Sequence, residues 1–175
     1  RGAQLRRGGG RMTPRANRAL ALLVVALVAA DWASKFWVVN RVALGHTLEV
    51  VGGWLYLAHR QNPGVAFSFF AGMPAGVRLP FLLALNLVAL VLFVRMLRRS
   101  TDAATRLAIA LILAGALGNL GDRLLNGHVT DFVLVPIFPF VFNLADAAIS
   151  VGGVLLALRL LFTSEPPGDA SPSPG

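Results

Sequence analysis

The chain has 175 residues, of which 56% are hydrophobic and only 14% are charged. Soluble globular proteins carry roughly 25% charged residues, so this composition indicates an integral membrane protein, and the length suits one domain. The net charge of +8 lies in arginines without interleaved aromatic residues, which argues against nucleic-acid binding, and the absence of cysteine excludes disulfides and thiol chemistry.

Four apolar blocks follow one another along the chain, and each is close to the roughly 20 residues that cross the hydrocarbon core of a bilayer. They occupy about residues 19–39, 79–97, 103–125 and 142–162. A cleavable signal peptide would be followed by a polar segment, but the sequence after Ala29 and Ala30 stays apolar. The sequence therefore predicts an all-α membrane protein with four transmembrane helices, the first of them uncleaved.

Arginine residues predict the orientation of these helices. They precede the first block and also cluster where the second block ends and the third begins, at Arg95, Arg98, Arg99 and Arg106. Positively charged flanks stay in the cytoplasm. Both termini are therefore expected in the cytoplasm, and the connections at about residues 40–78 and 126–141 are expected to face outwards.

Three segments result from this division of the chain. Residues 1–18 are expected to form a basic cytoplasmic tail, and residues 19–163 the membrane domain. Residues 164–175 are rich in Pro, Ser and Gly and are expected to form a disordered cytoplasmic tail.

The first outer connection carries signals for a small β-rich cradle at about residues 40–78. Two runs rich in strand formers, residues 47–51 and 54–58, are separated by two glycines and predict a hairpin. A turn signal follows at Asn62-Pro63-Gly64. An apolar patch suited to the membrane surface comes next, at Phe67, Phe69, Phe70 and Met73. We expect the loop at about residues 52–70 to be mobile and to control the entry of water.

Asp131 and Asp146 are acidic residues within strongly apolar sequence, in a chain with only 8 acidic residues. An ionisable group in or near hydrocarbon costs a few kcal/mol, so it usually has a function. Asn143 and Asp146 are three apart and can share one face of the fourth helix. Asp131 lies in the outer loop before that helix, and we expect this apolar loop to fold back and bring the two carboxyls together. Two such carboxyls share a proton, as in aspartic proteases.

Two further pairs are candidates for supporting roles. Asn119 and Arg123 are four apart near the outer end of the third helix, where they suit a peptide backbone or an anionic headgroup; alternatively, Arg123 extends to the interface with Asp122 as its partner. Asp31 and Lys35 have the spacing of an ion pair on the first helix. Three glycines of the third helix, Gly115, Gly118 and Gly121, favour close helix packing.

The spacing of the residues leaves other functions open. In a structural membrane subunit, Asp131 would instead be a solvated loop residue, and Asp146 would cap or hydrogen-bond a helix. In a channel or transporter, they would form an ion path with Asp31 and Arg123. The three histidines lack metal-ligand spacing, so neither a metal ion nor another cofactor is expected.

Five stretches taken together resemble one family, the bacterial lipoprotein signal peptidases, also called signal peptidase II. The stretches are Asp31-Trp-Ala-Ser-Lys35, Asn62-Pro-Gly-Val-Ala-Phe67, Gly115-Ala-Leu-Gly-Asn119-Leu-Gly-Asp-Arg123, Gly127-His-Val-Thr-Asp131-Phe132 and Phe142-Asn-Leu-Ala-Asp146. The resemblance spans about residues 20–160. It implies a membrane-embedded aspartic endopeptidase of the inner membrane that cleaves diacylglyceryl-modified prolipoproteins before the lipidated cysteine.

The resemblance also implies roles for individual residues. Asp131 and Asp146 fall on the catalytic pair, and Asp31 and Lys35 on a supporting site. The positions that bind the substrate, and that also receive globomycin-type inhibitors, are Asn62, Gly64, Asn119, Arg123 and Asn143. Membrane lipid is the surrounding partner, the active site faces outwards, and we expect a monomer.

Overall fold

The computed structural model describes residues 13–64, 73–138 and 140–163, and all structural statements refer to these residues. They form four helices, namely α1 (Pro14–Arg41), α2 (Ala75–Arg99), α3 (Ala103–Asn126) and α4 (Leu144–Thr163). They also form four short strands, namely β1 (Thr47–Val51), β2 (Leu55–Asn62), β3 (Val129–Leu134) and β4 (Val141–Phe142).

All four described helices are long and apolar enough to cross a membrane, which confirms the predicted fold class. The first helix begins before its predicted apolar block, because Thr13 accepts a hydrogen bond from the Ala16 N–H and Pro14 occupies the first turn. Both residues favour a helix start. Part of the predicted N-terminal tail, residues 14–18, is therefore helical.

Helix α3 is the centre of the bundle and packs against the other three helices. Its glycines make this possible, as predicted from the sequence. A Cβ at Gly118 would lie 2.6 Å from Asp31 Oδ2, and a Cβ at Gly115 would overlap the Ala145 carbonyl oxygen. Close helix packing thus brings α1 and α4 directly against the end of α3 that carries the polar residues.

Helix α1 has a polar interior face and an apolar exterior. Its buried residues are Asp31, Lys35 and Val38, whereas Leu22 and Phe36 are 69% and 72% exposed. Apolar side chains on the outside are compatible with lipid. The buried charges must instead be paired within the protein.

The strands form one antiparallel sheet in the order β1-β2-β3-β4, which confirms the predicted hairpin and the β-rich cradle. The second strand is longer than the predicted residues 54–58 and ends at Asn62. Phe132 packs on Val38 and Val42 at the end of α1, so the sheet is attached to the helices.

One sequence prediction is wrong at a candidate site residue. Asp131 was expected in a loop, but it lies on β3, opposite Arg60 of β2. Backbone pairing with β2 holds this segment in the sheet. The predicted apolar patch at Phe67, Phe69 and Phe70 lies outside the described residues, as does the predicted C-terminal tail at residues 164–175.

Candidate active site

Asp131 is buried, being only 4% exposed, and both of its carboxylate oxygens accept hydrogen bonds from amide groups. Asn143 Nδ2 donates to Oδ1 at 2.7 Å, and Asn62 Nδ2 donates to Oδ2 at 2.9 Å. Strand β3 carries Asp131, and the end of β2 carries Asn62. The pairing of these two strands therefore brings the two side chains together.

Asp146 lies in the first turn of α4 and also accepts two hydrogen bonds. Asn119 Nδ2 donates to its Oδ1 at 2.8 Å, and the Asn143 backbone N–H donates to its Oδ2 at 3.3 Å. In return, Asn143 Oδ1 accepts the Asp146 N–H at 2.9 Å. This reciprocal pair of bonds resembles a capping box and starts the helix at the site.

Asn143 links the two aspartates, because it contacts both carboxylates. Its side-chain amide binds Asp131 and its backbone N–H binds Asp146. The side chain is fully buried and also contacts Asn119 Oδ1 at 3.2 Å. The two carboxyls are thus held on either side of one residue.

Burial raises the pKa of Asp131 from 3.8 to about 6, and the neighbouring charge of Asp146 acts in the same direction. Hydrogen bonds from Asn62 and Asn143 and the charge of Lys35 oppose these effects. Asp131 therefore takes up a proton at a pH where an isolated aspartate has lost it.

Arg123 connects the segment at the end of β2 to the site. Its guanidinium donates to the Gly64 carbonyl at 3.0 Å, and Gly64 N–H donates to Asn62 Oδ1 at 3.0 Å. Arg123 also donates to the Asn119 carbonyl at 3.3 Å. The segment at the end of β2, residues 62–64, is therefore fixed next to Asp131.

Asp31 and Lys35 form the ion pair that their spacing predicts, with Lys35 Nζ 2.7 Å from Asp31 Oδ2. Both side chains are buried. Lys35 Nζ also donates to Asn119 Oδ1 at 3.2 Å, which joins the pair to the residues that bind Asp146. The predicted site residues therefore form one connected network.

Sequence reasoning missed the role of Asp122. It was considered as a partner of Arg123, but it is buried and pairs with Lys35 at 3.1 Å. Adjacent helix positions point in different directions, so Asp122 faces α1 while Arg123 faces Gly64 after β2. The sequence did carry a signal for this pairing: Asp122 is an acidic residue in an apolar block, and the chain has a single lysine.

Comparisons with known proteins identify a family and relatives that this chain resembles. The family model described as signal peptidase (SPase) II matches residues 23–162. The chain is 38% identical over 148 residues to the lipoprotein signal peptidase of Syntrophus aciditrophicus, covering 81% of this chain and 92% of the relative. It is 40% identical over 153 residues to that of Pseudomonas syringae pv. tomato, covering 84% and 87%.

A solved structure of a bacterial membrane enzyme has the same fold. It superposes with a TM-score of 0.78 at 28% identity and covers 88% of this chain and 94% of that chain. A second structure of a bacterial membrane enzyme gives a TM-score of 0.76 at 27% identity, with coverage of 83% and 94%.

Proposed function

Because the chain belongs to the signal peptidase II family, we propose that it is an aspartic endopeptidase with Asp131 and Asp146 as its catalytic pair. Its substrates would be diacylglyceryl-modified prolipoproteins, cleaved immediately before the lipidated cysteine. The observation that carries this proposal is the contact of Asn143 with both carboxylates, at 2.7 Å and 3.3 Å.

Two carboxyls held this way can divide the work of peptide hydrolysis. Because they repel each other when both are ionised, the pair holds one proton. The ionised carboxyl takes a proton from a water molecule as that water attacks the peptide carbonyl carbon. The protonated carboxyl donates a hydrogen bond to the carbonyl oxygen, and a proton is then delivered to the leaving amine.

The four amide-derived hydrogen bonds at the carboxylates support this division. They come from Asn62 and Asn143 to Asp131, and from Asn119 and the Asn143 backbone to Asp146. Amide donors fix the direction of each oxygen without adding charge. Each carboxyl is therefore held ready for the reaction, which lowers the cost of reorganisation in the transition state.

The surroundings suit a substrate that is part peptide and part lipid. We propose that Asn62, Gly64, Asn119, Arg123 and Asn143 bind the peptide around the scissile bond and also receive globomycin-type inhibitors. The diacylglyceryl group would remain among the exposed apolar side chains of the helices, in contact with membrane lipid. This arrangement does not require a partner subunit, and we propose a monomer.

The position of the basic residues supports an active site towards the outer face of the bacterial inner membrane. Arg106 at the start of α3 donates to Asn17 at the start of α1 at 2.7 Å. These helix ends and the arginines at the end of α2 lie away from the polar residues of α3. By the positive-inside rule, the basic end and both termini would be cytoplasmic.

The test is cleavage of a lipidated prolipoprotein by purified protein in detergent or liposomes. Asp131→Asn and Asp146→Asn should each abolish cleavage with folding intact, and a chelator should have no effect. Asp102→Asn is the matched control, because Asp102 caps the opposite end of α3. Cleavage that persists in either active-site variant would reject the proposal. Ion conductance by the protein in liposomes without substrate, together with no cleavage of the prolipoprotein, would also reject it.

A further inference from the structure

Lys35 is a buried cation with three partners among the described residues, and none of these three belongs to the proposed catalytic pair. Its Nζ lies 2.7 Å from Asp31 Oδ2, 3.1 Å from Asp122 Oδ2 and 3.2 Å from Asn119 Oδ1. An ammonium group has three donors and no acceptor. Three oxygen atoms from three different residues therefore surround this one ammonium group.

Two of these partners hold the backbone beside the aspartates. Asp31 Oδ1 accepts the N–H of Ala145 at 3.0 Å, and Ala145 immediately precedes Asp146. Asp122 Oδ2 accepts the N–H of Thr130 at 2.9 Å, and Thr130 immediately precedes Asp131. Each carboxylate paired with Lys35 thus holds the backbone next to one member of the pair, one on α4 and the other on β3.

The third partner determines what Asp146 contacts. Because Lys35 can only donate, the atom of Asn119 that faces it must be the carbonyl oxygen. Asn143 also donates to that oxygen, at 3.2 Å. The NH2 group of Asn119 is then forced towards Asp146, to which it donates at 2.8 Å. A reversed amide would direct its oxygen at the Asp146 carboxylate.

We propose that Lys35 is a positioning residue that holds Asp131 and Asp146 in register through Asp31, Asp122 and Asn119. This inference rests on the proposed catalytic pair, and it assigns the lysine a role beyond charge balance within α1. Helix α1 contributes neither of the two aspartates, yet its cation would determine how β3 and α4 meet. The rate of the hydrolysis step would therefore depend on a side chain that does not touch the substrate.

The charge of Lys35 provides a second readout, separate from its geometry. It lowers the pKa of Asp131, against the effects of burial and Asp146. The charged groups around the pair come from every element of the site. They are Asp31 and Lys35 on α1, Arg60 on β2, Asp122 and Arg123 on α3, Asp131 on β3 and Asp146 on α4. Loss of the lysine should move the alkaline limb of the kcat/KM profile to higher pH.

The principal variant is the double substitution Lys35→Met with Asp31→Asn. Removing the lysine alone would leave two buried carboxylates without a cation, which strongly destabilises a protein. The double variant instead removes one charge of each sign, and the asparagine introduced in place of Asp31 keeps an oxygen for the Ala145 N–H. Helicity and the thermal unfolding temperature would establish that it folds.

We expect the double variant to lose at least about tenfold in kcat with KM changed by less than about twofold, because Lys35 positions the two carboxyls and does not itself contact the substrate. Its alkaline limb should lie at higher pH, because Lys35 is the member of the removed ion pair whose charge lowers the pKa of Asp131. The matched control is Arg159→Met with Asp102→Asn, which removes a 2.9 Å ion pair at the other end of α3. The control should keep the kcat and the pH profile of the unaltered protein.

Lys35→Arg provides the test if the double variant does not fold. The guanidinium keeps both ion pairs, but it is planar and places its donors differently from an ammonium. We expect kcat to fall several-fold at unchanged KM, with the alkaline limb in its original place because the charge remains.

Two results separate the failure of this inference from failure of the proposed function. If the folded double variant keeps its kcat and its pH profile while Asp131→Asn is inactive, only the role of Lys35 is refuted. Where the double variant does not fold, an unchanged kcat in Lys35→Arg refutes that role in the same way. If Asp131→Asn still cleaves the lipidated substrate, the catalytic pair itself is refuted, and the inference fails with it.

Discussion

The titration of Asp131 should make the stability of the protein depend on pH in a way that one substitution removes. The pKa of Asp131 is about 6 in the folded protein, against an ordinary value of 3.8. The folded state therefore binds this proton more tightly than the unfolded state. The associated stability is complete below about pH 4 and is lost as the pH rises through about 6.

The size of this effect follows from the shift. A difference of about two pKa units corresponds to about 3 kcal/mol, at roughly 1.4 kcal/mol per unit. Asp131→Asn removes the titration but also one hydrogen bond, since an amide has only one oxygen to face Asn62 and Asn143. That loss costs about 1–3 kcal/mol and does not depend on pH. The prediction therefore concerns the slope with pH and not the absolute stability.

The assay is the free energy of unfolding in mixed micelles, measured from about pH 4 to about pH 8 for the unaltered protein and the variant. The stability of Asp131→Asn relative to the unaltered protein should rise by about 3 kcal/mol over this interval and level off above about pH 7. Asp102→Asn is the control: the backbone and hydroxyl donors of Thr105 lower the pKa of Asp102, so its effect should be flat over this range. A flat difference for Asp131→Asn would refute the reasoning.

Three further substitutions test packing, site geometry and substrate binding. Gly115→Ala should destabilise the protein by about 1–3 kcal/mol in thermal unfolding, because its Cβ would overlap the backbone of α4. Gly153→Ala is the control and should leave the stability unchanged, because no described atom lies within 4 Å of its Cβ. Asn143→Ala should lower kcat by about a hundredfold in prolipoprotein cleavage, which is the typical effect of removing one oriented hydrogen-bond donor. A loss of less than about threefold would exclude the role of Asn143 between the carboxylates. Arg123→Lys loses the contact with the Gly64 carbonyl and should raise KM more than it lowers kcat; an unchanged KM would contradict substrate binding there.

Much of the fold was predictable, because a membrane helix is recognised from local composition alone. Acidic residues within apolar sequence also indicated Asp131 and Asp146, since isolated ionisable residues are costly in such surroundings. The strand that carries Asp131 was missed. Its residues, Val129–Leu134, include β-branched and aromatic types that favour strands, but its pairing partner lies far away in sequence, on β2.

The network around Lys35 could not be derived from the sequence in the same way. Its spacing with Asp31 is local and was recognised, whereas Asp122 reaches it only because α1 and α3 pack closely at Gly118. Which neighbour a buried carboxylate selects depends on helix rotation, and an apolar composition does not determine that rotation. The orientation of the Asn119 amide is likewise fixed only by the partners on both of its sides.

The most direct measurement compares the cleavage rates of three variants on a lipidated prolipoprotein. These are Asp131→Asn, Asp146→Asn and the variant that carries both of these substitutions. Groups that act on one water as a unit are not additive, so each single variant should lose nearly as much activity as the double variant. Separate losses that multiply in the double variant, or substantial turnover in either single variant, would contradict a shared role for the two carboxyls.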